Sequence, residues 1–284
     1  MNRNFWRRFR NNVALSAIYA LTGIALVPLG LVLWYTIVKG LPAASHPEFF
    51  LNVERPIGIP GSGISHAIAG TAIMVGMASL IAIPVGVISG VYLAEYGHAR
   101  WASWVRLASD VLVGAPSIAL GLFGYAILVV PLHHYSAISA SAALSILMLP
   151  VVIRTTESAV GLIPAGLRES GLALGLPRWR VSLQLIVPAA APGVITGALL
   201  AVARAAGETA PLLFTAFGNN LLQLDPTREM SALPIIVFRD ALTPFKELQD
   251  QAWGAALVLV TMVLVINLAS RRVLRRQIRL AGQL

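Results

Sequence analysis

The chain has 284 residues, of which 57% are apolar and only 12% charged, a balance that no water-soluble domain of this length tolerates on its surface. The net charge of +9 suggests nucleic acid, but the basic residues fall beside the ends of apolar runs, where lipid headgroups and the positive-inside bias account for them, so no nucleic-acid partner is expected. Without cysteine there is no disulfide, thiolate metal site or cysteine nucleophile, which leaves an integral membrane protein facing lipid.

Residues 1–12, with Arg3, Arg7, Arg8 and Arg10 beside Phe5 and Trp6, read as a basic anchor in the headgroups. The rest, 13–284, reads as one membrane domain with its core at about 66–270. A bilayer core about 30 Å thick takes roughly 20 apolar residues per spanning helix, and six runs qualify. The first, Val13 to Val38, is too long for a signal-peptide core and lacks a small-residue cleavage site, so it is expected to be retained. Pro42, Pro47, Pro56 and Pro60 then break the stretch Lys39–Ser65 into an outer loop.

The second run, His66 to Tyr92, carries Gly86 and Gly90, a spacing that lets a neighbouring backbone come close, and Pro84, which should kink it. A polar loop, Glu95–Asp110, precedes the third run, Val111 to Leu132. The fourth, Ala137 to Ile153, follows after His133, His134 and Tyr135, too few residues for anything but a tight hairpin. Arg154–Val187 reads as a second inner loop. The fifth run, Ala189 to Phe217, holds another glycine pair, Gly193 and Gly197, and the sixth is Ala252 to Ala269. Placing both termini, Glu95–Asp110 and Arg154–Val187 inside puts fifteen basic residues there against five outside, with Arg204 left over in a span.

Within Arg154–Val187, Pro164 stops one helix, Ala165–Leu174 can form a second, and Gly175 with Pro177 ends it. Leu167, Gly171 and Leu174 share a face, with Arg168, Glu169 and Ser170 beside it. Such a helix is either a lever for a partner or a surface helix lying in headgroups. In the fifth run Arg204 and Glu208 are the charges well inside an apolar stretch, where a charge costs several kcal/mol unless it meets a cavity or a partner. At i, i+4 they can lock two helices together, or line an anion path in which arginine forks onto an oxyanion. Thr209 could add a hydroxyl there or bond its own backbone. His133 and His134 lack carboxylates at ligand spacing, so no metal site is expected. The outer patch LPIIVF from Leu233 reads as a surface for a partner subunit or a binding protein. Neither lysine, Lys39 or Lys246, lies in a P-loop, so ATP would have to act through another chain.

Glu169-Ser170-Gly171, then Gly175, then Leu185-Ile186-Val187-Pro188 resembles the Glu-Ala-Ala…Gly…Ile-x-Leu-Pro loop of bacterial ABC importer permeases, with the same spacing and conservative replacements. ARAAGETAPLLFTAFG from Ala203, VYLAEYG from Val91 and DVLVGAPSIALGLFG from Asp110 are similar to the phosphate-specific members, with their A-type subunits the nearest fit, over about residues 60–284.

The resemblance implies an all-α, polytopic fold with six transmembrane helices in a bacterial cytoplasmic membrane. It implies a coupling helix that docks on an ATPase, with Arg168, Glu169, Ser170, Gly171, Gly175 and Pro188 at the coupling positions. It further implies a homologous C-type permease enclosing the path with Arg204, Glu208 and Thr209, two ATPase subunits that bind ATP and Mg, and an extracytoplasmic phosphate-binding protein. A permease for sulfate or molybdate, a stand-alone secondary transporter or channel, and a membrane enzyme acting on lipid phosphates are the alternatives.

Overall fold

The computed structural model describes residues 3–97 and 100–281, and every regular element among them is helical. The side chains of Arg3, Arg8, Arg271, Arg275, Arg276 and Arg279, counted above among the basic residues of the two termini, lie outside the described residues. Helix α1, Arg3–Ala44, runs unbroken through the expected anchor, the first span and the start of the expected loop. Most of it is exposed. Among the described residues only its last turns find a partner, where Gly40 sits so close to Trp253 and Leu257 that a Cβ would lie 2.5 Å from the Trp253 carbonyl oxygen. A short helix α2, Pro47–Leu51, follows.

Helix α3, Ser65–Tyr96, contains Pro84. The polar stretch after it is not a loop but a helix, α4, Arg100–Gly114. Its exposed stripe, Trp101, Trp104, Leu107 and Val111, lies opposite buried Ala102 and Ser109. The expected third span from Val111 is therefore divided. Pro116 cannot continue a helix from Gly114, and the chain turns through 106° into α5, Ser117–Leu132. At 1.5 Å per residue α5 is about 24 Å long, short of a bilayer core. Among the described residues, five helices are long and apolar enough to cross a membrane, and up to six spans result if the bent pair is counted as one.

Helix α6, Ala137–Gly161, starts at Ser136, whose hydroxyl accepts the Ser139 N–H, and continues eight residues beyond the expected end at Ile153. Helix α7, Ala165–Ala173, is the expected short helix. Helix α8, Arg178–Ala206, begins eleven residues before the expected fifth run and ends eleven before its expected close at Phe217. The second inner loop shrinks accordingly to residues 162–177. Helices α9, Ala210–Thr215, α10, Leu233–Ala241, and α11, Lys246–Ala281, complete the fold.

Two prolines leave the same mark on the long helices. In α5 a π turn, Tyr125–Val129, closes by the Val130 N–H to the Tyr125 carbonyl just before Pro131. In α8 a π turn, Ser182–Ile186, closes by the Val187 N–H to the Ser182 carbonyl just before Pro188. A proline has no N–H to give and its ring crowds the carbonyl four residues back, so a widened turn ahead of it relieves both problems without ending the helix.

Helix α6 is the axis of the bundle. On one side Gly86 and Gly90 of α3 meet it, and a Cβ at Gly90 would stand 2.6 Å from both the Ile153 carbonyl oxygen and Thr156 Cβ. On the other side Gly193 and Gly197 of α8 face Ala159 and Thr155. Both glycine pairs are thus seams against one helix, where close backbone approach supplies van der Waals contact that lipid cannot. Met74, Ala78, Leu144, Met148, Val152, Ala201 and Ala205 fill the core around it. The LPIIVF patch is internal. Leu233 and Ile236 of α10 pack on Phe49, Ile64, Ala67 and Ala255 of their own chain. Helical spacing turns those side chains inward, and only Phe238 stays out.

Candidate functional site

Helix α7 projects from one end of the bundle, held between two rigid turns. Pro164 precedes it, and at its close Gly175 adopts φ +80°, where its N–H reaches the Leu172 carbonyl while Leu176 N–H reaches that of Gly171. This is a Schellman closure, and a glycine suits it because side chains with a Cβ resist that backbone angle. Gly171 is buried, and a Cβ there would lie 2.8 Å from Leu185 Cδ1 and 2.9 Å from Val181 Cγ2. Gly171 is therefore turned inward, whereas Leu167 and Leu174, expected to share its face, are exposed. Gly166, Glu169 and Ala173 form the opposite, exposed face. Ser170 is exposed and donates back to the Gly166 carbonyl at 2.7 Å. Pro188 lies beyond α7 in the body of α8, where it follows the π turn.

Arg168 points into the protein. Its Nε donates to Glu95 Oε1 at the end of α3 at 2.9 Å, Nη1 to the Ile163 carbonyl at 2.7 Å and Nη2 to the Val160 carbonyl at 3.0 Å. One guanidinium thus binds two carbonyls at and just beyond the end of α6 and pairs with a carboxylate of α3. Arg106 of α4 makes the converse joint: Nη1 and Nη2 cap the Gly97 and Leu93 carbonyls of α3, each at 3.1 Å, while Nε binds Glu157 Oε1 of α6 at 2.6 Å. Arg154 joins Glu157 at 3.0 Å and Asp110 at 2.7 Å. Beside this lattice a cavity of about 180 Å³ opens between Glu95, Arg168, Leu172 and Arg178. Glu95, Arg106, Asp110, Arg154 and Glu157 are absent from the expected site. The available signal is the i, i+3 pair Arg154 and Glu157, which marks a continuing helix.

Arg204 and Glu208 do not share a helix face. Helix α8 ends at Ala206, and Glu208 and Thr209 lie in the break before α9, so the pair closes across the helix end at 3.4 Å. A cation in the last turn also meets the negative end of the helix dipole. The Arg204 side chain is 44% exposed and that of Glu208 18%, whereas Arg168 is 26% exposed. Arg204 is thus a reachable cation on the surface of a single chain. The Thr209 side chain makes no cap hydrogen bond to α9.

At the other end of the bundle a second charged group is buried. Arg239 Nε binds Asp240 Oδ1 at 2.8 Å, Nη2 pairs with Glu54, and Nη1 donates to Asn220 Oδ1 at 2.6 Å. Asp240 is fully buried and its Oδ2 has no partner among the described residues. Two carboxylates share one guanidinium, and burial pushes both the Asp240 and Glu54 carboxyls above the usual range. Nearby His133 and His134 line an open polar cavity of about 640 Å³ with Tyr135, Asn219 and Arg228.

Residues 82–280 match the model of the family described as binding-protein-dependent transport system inner membrane component. The chain is 41% identical over 267 residues to the phosphate transport system permease protein PstA of Yersinia pestis, covering 94% of this chain and 90% of that protein. It is 36% identical over 269 residues to PstA 1 of Mycobacterium tuberculosis (strain CDC 1551 / Oshkosh), covering 93% and 88%. Among solved structures, an inward-facing form of the MetNI methionine ABC transporter superposes with a TM-score of 0.61 at 21% identity, covering 76% of this chain and 94% of that one. A bacterial alginate ABC transporter gives 0.65 at 14% identity, covering 95% and 97%. These two share the fold. The chain belongs to the family of binding-protein-dependent transport inner-membrane components and, within it, groups with the PstA permeases.

Proposed function

We propose that this chain is a permease subunit of an ATP-driven phosphate importer. The observation that carries the reading is α7: a short helix with an exposed Glu169 face, closed by Gly175 and bonded through Arg168 to the ends of α3 and α6. Such a helix is stiff enough to pass on a push. The solute class rests on the name PstA borne by relatives that are similar over most of the chain. The α7 end faces the cytoplasm, with both termini, by the basic-residue count. This chain carries no P-loop, so two ATPase subunits hold ATP and Mg and dock on α7 of this chain and of a homologous C-type permease. An extracytoplasmic phosphate-binding protein delivers solute at the opposite end. Phosphate is passed on unchanged.

Arg204 supplies the anion contact. Its long 3.4 Å bond to Glu208 and its exposure allow phosphate oxygens to replace the carboxylate as the partner of the guanidinium. A closed pair then restores neutrality after release. ATP-dependent uptake of labelled phosphate by the co-purified complex in liposomes tests the reading, with sulfate and molybdate as competitors. Preferential competition by either of those anions would reassign the solute, and phosphate flux by this chain alone without ATPase would make it a secondary transporter.

A further inference from the structure

Glu95 is the meeting point of three helices. It belongs to the last turn of α3, and its side chain is only 11% exposed. Oε1 receives Arg168 of α7 at 2.9 Å, and Oε2, at 3.2 Å, shares the single Ser182 hydroxyl hydrogen of α8 with the Arg178 carbonyl, at 3.1 Å. Ser182 is buried at the first position of the π turn, at the root of the helix whose last turn carries Arg204. Helix α7 also meets that root at Gly171, which lies against Val181 and Leu185. An apolar contact can slide, whereas a carboxylate with each oxygen bound to a different helix fixes both direction and distance.

We propose that Glu95 is a positioning residue which makes α7, the end of α3 and the root of α8 move as one body, so that a displacement of α7 reaches the helix bearing Arg204. The proposal rests on the reading of α7 as the helix driven by the ATPase. A glutamine at this position keeps the size of the side chain but offers one oxygen and one N–H₂ group. The Ser182 hydroxyl can accept from the amide, since its own hydrogen has the Arg178 carbonyl at 3.1 Å, but the Arg168 bond loses its charge.

The test compares wild type, Glu95→Gln and Ser182→Ala in the complete complex in liposomes, with ATP hydrolysis and phosphate uptake measured per assembled complex. In Glu95→Gln, assembly and hydrolysis are expected to persist while uptake per ATP falls about tenfold, with a smaller fall in Ser182→Ala. Unchanged uptake per ATP, or a loss that merely follows the amount of complex assembled, overturns the proposal. A second readout does not depend on the solute. The chain has no cysteine, so spin labels can be placed at Leu174, 81% exposed, and Leu200, 53% exposed. The distance between them is expected to be unaltered by ATP in wild type and to shift or broaden with ATP in Glu95→Gln. Equal responses in the two proteins overturn the joint whatever is carried. Absence of phosphate uptake by the wild-type complex overturns the functional reading instead, and the distances still decide the joint.

Discussion

Arg168 and Glu95, 73 residues apart in sequence, are joined by a 2.9 Å charge-assisted hydrogen bond that closes the α7 end of the bundle. Truncating Arg168 to alanine leaves Glu95 nearly buried without its cation and takes donors from the Val160 and Ile163 carbonyls. Losses of this kind cost about 2–3 kcal/mol. Arg168→Ala is therefore expected to lower the melting temperature in detergent clearly. Lysine keeps the charge but cannot fork, so it should restore only part. A wild-type melting curve for Arg168→Ala would show that the clamp does not hold the helices.

Glu169 is the sequence neighbour of Arg168 but lies on the exposed face of α7 with Gly166 and Ala173. Glu169→Lys should leave the stability within about 0.5 kcal/mol of wild type, because it removes no side-chain bond among the described residues. In the complete complex the same change should let ATP hydrolysis continue while uptake falls. Fully coupled transport in that variant would remove Glu169 from the docking face.

The contrast between these neighbours shows what a linear pattern can carry. Pro164, Gly175 and Pro177 are local signals, and they mark α7 to within one residue. Arg154 and Glu157 look like loop residues along the chain, yet they continue α6 because Asp110 and Arg106 on another helix neutralise them. Hydropathy also averages over the turn at Gly114–Pro116, since the residues on both sides are apolar. The glycine pairs announce close seams, but that both face α6 is a property of the packed bundle. The identity of Arg204 and Glu208 as a pair is readable from their spacing. The helix break between them depends on Gly207 and Pro211, and it places the cation at a helix end.

Gly171 inside α7 and Gly175 just past its end are glycines for different reasons, and substitution separates them. At Gly171 the limit is space, with Val181 and Leu185 within 3 Å of any Cβ. At Gly175 the limit is the backbone angle of +80°, with open space around it. Asparagine tolerates that angle, so Gly175→Asn should cost less than about 1 kcal/mol, and Gly175→Val distinctly more. Gly171→Asn should cost about 1–3 kcal/mol through overpacking. The measurement is the melting temperature of each variant, and equal losses for asparagine at the two sites would refute the distinction.

Asp240 and Glu54 give a pH signature. Both carboxyls are raised by burial, so the folded protein takes up their protons at a higher pH than the unfolded chain does. In that window, from the ordinary carboxylate range up to the raised values, the native state binds more protons and stability falls as pH rises. This part of the stability is regained on mild acidification. Asp240→Asn removes the surplus negative charge next to Arg239, and its stability should depend less on pH across the same window. Melting temperatures at a series of pH values test this, and parallel profiles for the variant and wild type would assign the dependence to other groups.

Arg204 bears on the solute. It is more exposed than the structural Arg168 and its one carboxylate bond, at 3.4 Å, is longer than any made by Arg106, Arg154 or Arg168. An exposed pair of this kind contributes about 0–1 kcal/mol to folding, so Arg204→Ala should assemble normally. If the guanidinium receives phosphate, uptake by that variant should nevertheless fall by about a hundredfold or more, since a charge-assisted fork is worth several kcal/mol to an oxyanion in a water-poor path. Lysine should recover little because it binds as a point charge. Glu208→Gln leaves the cation without its internal partner. Phosphate then either stays bound longer or meets a barrier raised by the stranded charge, and turnover drops in both cases. Labelled-phosphate uptake by the three variants, each normalised to assembled complex, decides the matter: wild-type uptake in Arg204→Ala would make the pair a lock at the end of α8 with no part in the path.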